Sequence, residues 1–198
     1  MKESAVTITS PAPRPLQSDA DGTPTVLRLG SLSLHVIRRG ERLALRVKDR
    51  DNPDRLNFQS TPFFPASMKW RVEARFERYE PPKPVRILNV TGMESDEPSP
   101  GALVFEADGR THRLDVLTEK GEEQFFIIFA DQTSGKETYG AGRYLYAGPP
   151  DAEGRVAVDF NKAYSPPCAF TSYATCPLPP EQNKLPLRVE AGEKFAGH

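Results

Sequence analysis

The sequence predicts an all-β protein, an antiparallel meander that closes into a barrel or a strongly curved sandwich. Apolar residues recur at every second position through most of the chain between residues 25 and 160, and turn signals containing glycine separate these runs. No window shows the apolar spacing of an amphipathic helix. The chain is 37% apolar and 9% aromatic, which is enough for one modest core.

The clearest strand runs from Trp70 to Phe76, where apolar and charged side chains alternate strictly. This pattern is typical of an antiparallel strand with one buried and one solvated face. Shorter runs are expected before it at 26–29, 32–36 and 43–47, and after it at 85–90, 102–107, 110–117, 123–129, 143–146 and 155–160. Asp108-Gly109 is a two-residue hairpin signal, and Lys120-Gly121 is a second.

Proline separates the chain into three parts. Residues 1–24 hold one short β-like run, Ala5–Thr9, followed by four prolines, and are expected to form a flexible N-terminal arm. Residues 25–198 are expected to form a single β domain, with 25–50 as an N-terminal addition. Its proline-rich segment at 161–187, named here the 161–187 loop, carries aromatic residues and both cysteines, so we expect it to pack over the sheet.

Charge and motifs exclude several classes of function. The chain has 26 basic and 27 acidic residues, so no overall field attracts nucleic acid or an anionic membrane. It has no apolar run long enough to cross a bilayer, and a cytoplasmic protein is expected. The motifs of serine hydrolases, P-loop proteins, zincins and zinc ribbons are missing, and no metal site or cofactor is predicted.

The segment from Tyr139 to Arg143 is the first candidate site. Gly140 and Gly142 allow the backbone to approach a ligand closely beside an aromatic ring and a guanidinium, an arrangement that suits a carboxylate or a phosphate. A glycine bulge at a barrel corner needs the same geometry, with Arg143 paired to an acid such as Glu137 or Asp159. The sequence leaves both interpretations open.

Two further pairs are candidates. Asp159 and Asn161 flank Phe160 at the end of a strand, where they either form the floor of a pocket or cap backbone groups. Cys168 and Cys176 are expected to be buried small side chains or a local disulfide, and the sharper interpretation is a redox pair.

Three stretches carry a resemblance: TPFFPASMKWRVEARFERY, SGKETYGAGRYLYA and DFNKAYSPPCAFTSYATCPLPPEQNKLPLRVEAGEK. They resemble the DUF1684 family of bacterial and archaeal proteins of unknown function over about residues 25–195, with 56–195 as the minimal unit. The resemblance implies no activity. It points to the residues Tyr139, Gly140, Gly142, Arg143, Asp159, Asn161, Tyr164, Cys168, Cys176 and Asn183.

The leading hypothesis is a protein that binds a small anionic ligand in a pocket under the 161–187 loop. Arg143 would hold the anion and Tyr139 and Tyr164 would supply ring faces and hydroxyls, while Asp159 and Asn161 would orient the ligand. Two alternatives remain open: an interaction or structural module without a pocket, and an enzyme of unknown reaction with Asp159 or Glu137 as general base. An unpaired strand edge within 25–48 is expected to serve a homodimer.

Overall fold

The computed structural model describes residues 14–119 and 121–195, and it confirms the all-β prediction. The chain divides into two compact units, Met1–Gln59 and Ser60–His198. The described residues form nine strands and a single short α-helix. The sequence prediction placed residues 25–198 in one domain, with 25–50 as an addition to it.

The first unit is a three-stranded antiparallel sheet in the order β1-β2-β3. Its strands are β1 (Leu27–Leu29), β2 (Leu32–Arg39) and β3 (Arg42–Asp49), followed by helix α1 (Pro53–Asn57). Asn52 begins the helix, because its side chain accepts hydrogen bonds from the backbone N–H groups of Asp54 and Arg55. Proline suits the next position, where no intrahelical N–H bond is needed.

The described part of the predicted arm contacts β2. A 3-10 turn at Asp19–Asp21 lies beside the strand, and the backbone N–H of Arg38 donates to Asp19 Oδ1 at 3.0 Å. Ser18 next to this turn is buried. The remainder of the predicted arm, including the run Ala5–Thr9, lies outside the described residues, as does Lys120 of the second hairpin signal.

The second unit is a six-stranded antiparallel sheet that curls into a half-barrel, in the order β8-β7-β6-β5-β4-β9. Its strands are β4 (Arg71–Leu88), β5 (Glu94–Ala107), β6 (Arg110–Thr118), β7 (Phe125–Phe129), β8 (Arg143–Ala147) and β9 (Arg155–Asp159). Asp108 and Gly109 join β5 to β6 with φ of 47° and 71°. Both positive values are those of the predicted two-residue hairpin turn.

Strand β4 joins two predicted strands, 70–76 and 85–90, into one, and β5 begins well before its predicted start at 102. The added segments contain several prolines. The β4–β5 pairing shifts register between Arg78 and Lys83 and then continues, with Pro84 directly opposite Pro98. Proline has no N–H to donate, but alternate positions of an antiparallel strand direct their N–H away from the partner strand. At Pro84 and Pro98 neither strand has a second partner among the described pairings, so no ladder hydrogen bond is lost.

Strand β7 is buried on both faces, and its five residues Phe125–Phe129 divide the core in two. Phe125, Ile127 and Phe129 belong to the main core inside the curved sheet. Phe126 and Ile128 face the other way, into a second cluster that includes Ile87, Cys176 and parts of the 161–187 loop. Fully burying such side chains contributes about 1.5 to 3 kcal/mol each. This double burial explains why β7 is a continuous apolar run rather than an alternating one.

Candidate functional site

Arg143, the predicted anion-binding residue, begins strand β8 and has no exposed surface. Its Nη2 lies 3.3 Å from Asp131 Oδ1 and donates to the carbonyl of Val189 at 2.9 Å. Its Nη1 donates to the carbonyls of Ala191 and Glu193. Burial lowers the pKa of Arg143, and the Asp131 carboxylate opposes that shift. The guanidinium therefore anchors the C-terminal strap, residues 187–195, to the sheet.

Asp131 binds the same strap as a hydrogen-bond acceptor. The backbone N–H of Val189 donates to Asp131 Oδ2 at 2.7 Å, and the Thr133 hydroxyl donates to both carboxylate oxygens. The Asp131 side chain is fully buried, and its charge is compensated by these donors, by the backbone N–H of Thr133, by the Ser134 hydroxyl and by Arg143. The partner of Arg143 is thus Asp131, rather than Glu137 or Asp159 as the second interpretation suggested.

The two predicted glycines differ in their surroundings. Gly142 has a φ of 88°, and a Cβ built on it would lie 2.5 Å from the carbonyl oxygen of Phe129 and from Cγ of Pro179. Gly142 therefore permits a close approach of strand β7 and the 161–187 loop. A Cβ built on Gly140 would lie 3.6 Å from its nearest neighbour, the Cα of Gly135, which is an ordinary contact distance.

Tyr139 and Tyr164 connect the 161–187 loop to the rest of the unit. The Tyr139 hydroxyl donates to the carbonyl of Cys168 at 3.0 Å, and burial raises the pKa of Tyr139 to about 12. The backbone of Tyr164 pairs with that of Tyr144 through two hydrogen bonds, and its ring stacks on Tyr146. Both tyrosines are engaged in internal contacts.

Asp159 and Asn161 behave as the capping interpretation describes. Asp159 Oδ1 accepts from the backbone N–H and the side-chain amide of Asn161, at 3.2 and 2.9 Å. Asn161 in turn bonds both backbone groups of Ser67, which precedes β4. Within residues 14–119 and 121–195, no hydrogen bond or ion pair joins this pair to Arg143 or Tyr139.

Glu137 pairs with Arg188 and lies near the strap, where its backbone carbonyl accepts from Phe195.

The two cysteines are free and adjacent. The backbone N–H of Cys168 donates to Sγ of Cys176 at 3.1 Å, and Cys176 is buried. Burial, reinforced by the hydrogen bond between the two thiols, raises the pKa of Cys168 to about 11. At neutral pH both causes favour the protonated thiol of Cys168 over the nucleophilic thiolate.

We expect Cys168 to react slowly with thiol reagents. A pKa about two units above the ordinary value lowers the thiolate fraction at pH 7.5 about a hundredfold. Reaction of the native Cys176→Ser variant, which keeps a hydrogen-bonding group beside Cys168, with a chromogenic disulfide measures Cys168 alone. The same variant in denaturant is the control. Rapid reaction of the folded variant would contradict this expectation. Loss of both thiols in wild-type protein purified without reductant would instead reveal a disulfide.

A cleft lies beside the second core cluster and has a volume of about 280 Å³. Ile87, Leu117, Phe126 and Ile128 supply its apolar surface. The 161–187 loop borders it, because the loop pairs with the end of β4: Val90 N–H donates to the Cys176 carbonyl, and Leu178 N–H to the Leu88 carbonyl. The remaining lining residues are Asn89, Ser95, Glu97, Pro98, Thr118, Glu119, Thr175 and Pro177.

None of the predicted site residues lines this cleft. The sequence predicts a pocket under the 161–187 loop. This cleft is bordered by the loop through Thr175 and Pro177, and the rest of its lining comes from strands β4, β5, β6 and β7 and their ends. One signal was available in the sequence. A strand that is apolar at every position, such as β7, must be covered on both faces, and the cover on the outer face borders the cleft.

No group of three or more His, Cys, Asp or Glu side chains is placed to hold a metal ion in the described part of the chain. None of the helices in residues 14–119 and 121–195 has the length and apolar character needed to span a membrane. His112 is buried, packs on Phe105 and bonds the Ala107 carbonyl at 3.2 Å. These contacts give it a role in the core.

The second unit therefore defines an all-β protein with a curved sheet and a long C-terminal segment anchored across it. The family model for proteins of unknown function named DUF1684 matches residues 56–194, so the chain belongs to the DUF1684 family, as its sequence motifs predicted. No curated protein matches the chain.

A solved structure supports the fold. The chain is similar to an uncharacterized protein of Haloarcula marismortui whose structure was determined in solution by NMR. The two are 31% identical, with a TM-score of 0.59, and the match covers 72% of this chain and 80% of the other.

Proposed function

We propose that this protein binds a small molecule in the cleft bordered by the 161–187 loop. The observation that carries the proposal is the combination of an apolar floor with polar groups at the edge of a concave site. Its volume of about 280 Å³ is close to the lower end of ligand pockets, about 300 Å³. Such a site suits a ligand of fragment size.

The lining indicates the chemistry of the ligand. Ile87, Phe126 and Ile128 favour an apolar or aromatic body, whereas the carboxylates of Glu97 and Glu119 favour hydroxyl or amine donors at its edge. No Lys or Arg is among the lining residues. The anionic ligand of the sequence hypothesis relied on Arg143, which is enclosed by protein acceptors, so the proposal replaces the anion with an apolar ligand that carries donors.

Filling the cleft should abolish binding without unfolding the protein. Ser95 lies directly opposite Ile87 in the β4–β5 register, so its exposed side chain stands on the face that borders the cleft. We expect Ser95→Trp to weaken, at least tenfold, every fragment that binds there. The measurement is ligand-observed NMR with a library of neutral and amine fragments, followed by titration of each hit.

Asp96→Trp is the matched control, because Asp96 is the next residue on the same strand and points to the opposite face. Its ion pair with Arg86, 3.9 Å long and exposed, contributes little to stability. Hits that bind Asp96→Trp normally and lose affinity for Ser95→Trp support the proposal. Equal binding to both variants, or no hit on the wild-type protein, would contradict it.

A further inference from the structure

The first unit presents one face made of aliphatic side chains. Residues that are directly opposite on neighbouring antiparallel strands share a face, and the register pairs Leu27 with Leu34 and Leu34 with Val47. The alternation along each strand then places eight aliphatic residues together: Leu27, Leu29, Leu32, Leu34, Val36, Leu43, Leu45 and Val47.

Four of these eight side chains are exposed, and the other four are partly buried. Leu43 is 68% exposed, and Leu29, Leu45 and Val47 are each about half exposed. Isolated exposed leucines are common, but a contiguous apolar patch larger than a few hundred Å² marks an interaction site. Covering these side chains would remove apolar surface from water, which favours association.

The opposite face of the same sheet is basic, which determines the kind of partner that the aliphatic face can take. It carries Arg28, His35, Arg46 and Lys48. A nucleic acid or an acidic protein would therefore bind the basic face, whereas the aliphatic face requires an apolar surface of matching shape.

We propose that the aliphatic face binds the same face of a second copy of this chain. The two ends of the face carry opposite charges. Arg38 lies opposite Leu43 at one end, where its Nη2 also donates to Asp21 Oδ1 at 2.6 Å in an exposed ion pair, and Asp49 lies opposite Leu32 at the other. A two-fold axis between the sheets and perpendicular to the strands places Arg38 of one protomer beside Asp49 of its partner, twice. The charges thus select an antiparallel arrangement of the two sheets.

The dimensions of the face allow a stable contact. Two aligned sheets pack about 10 Å apart with their aliphatic side chains interdigitated. Three strands of this length bury on the order of 1,000 Å² when both copies are counted, which is the lower end of specific interfaces. The association differs from the edge-strand dimer that the sequence suggested, because side chains rather than backbone groups form it.

Sedimentation equilibrium of the full chain tests the proposal. We expect wild-type protein to dimerise with a dissociation constant of about 100 µM or lower. Leu45→Asp should raise this constant at least tenfold. Ala44→Asp is the matched control, because Ala44 is exposed on the basic face and should leave the dimer intact. A monomeric wild-type protein, or equal effects of the two variants, would overturn the proposal.

A charge exchange separates dimer contacts from folding defects. Arg38→Asp places carboxylates opposite one another across the interface and should weaken the dimer. It also removes the ion pair of Arg38 with Asp21, which is exposed and therefore contributes little to folding, and which Asp49→Arg cannot restore. Adding Asp49→Arg to the same chain restores opposite charges between protomers and should restore the association. Residues 38 and 49 lie at opposite ends of the sheet within one protomer, so restoration cannot arise there. Failure of the double variant to regain the dimer of the wild type overturns the antiparallel arrangement.

Discussion

Replacing Arg143 with Met should lower the free energy of unfolding by about 3 to 5 kcal/mol, because it leaves the Asp131 carboxylate buried without its cation. The carbonyls of Val189, Ala191 and Glu193 lose their shared donor as well. A loss of this size is a large part of the stability of an ordinary domain. We therefore expect a clearly lower urea midpoint and a lower melting temperature than those of the wild-type protein.

Arg188→Met is the control for this prediction. Arg188 belongs to the same strap and pairs with Glu137 and Glu190, but its side chain is 41% exposed. Exposed pairs contribute about 0 to 1 kcal/mol, so this variant should remain folded. Adding Asp131→Leu to Arg143→Met should recover part of the loss, because the uncompensated charge is then removed. Wild-type stability of Arg143→Met would instead indicate that Arg143 is available for a ligand.

The partner of Arg143 could not be read from the sequence. The glycine-bulge interpretation pairs Arg143 with an acid such as Glu137 or Asp159, whereas the structure pairs it with Asp131 and with three backbone carbonyls of the strap. Carbonyls carry no residue identity, so a motif search does not detect them as acceptors. A buried Arg with backbone partners and an Arg poised for a phosphate give the same local pattern of glycine and aromatic residues.

The strands were more predictable than the site. Alternation identified β6 and β9 to within about two residues, because a sheet with one buried face imposes that period on any sequence. The extensions of β4 and β5 were missed because proline normally ends a strand, and only the register shows that Pro84 and Pro98 oppose each other. The cleft is lined from several separate strands, and its composition follows from the sheet order rather than from any one segment.

Gly142→Ala should destabilise the protein strongly, although alanine adds only one methyl group. The φ of 88° is unfavourable for any residue with a Cβ, at a cost of about 1 to 2 kcal/mol. The new methyl would also lie 2.5 Å from the Phe129 carbonyl oxygen and the Pro179 ring, and relieving such an overlap typically costs about 1 to 3 kcal/mol more. The expected measurement is a reduced denaturation midpoint in urea with an unchanged slope.

Gly140→Ala makes the same chemical change two residues earlier and is the matched control. A methyl group on residue 140 would lie 3.6 and 3.9 Å from its nearest neighbours, two backbone atoms of Gly135. The backbone of Gly140 is not in the left-handed region, so the methyl is accommodated. A site that needed both glycines for close approach to a ligand would lose binding in both variants while stability changed little. A packing role at Gly142 alone predicts a large difference in stability between the two variants, because only Gly142 lies between strand β7 and the 161–187 loop.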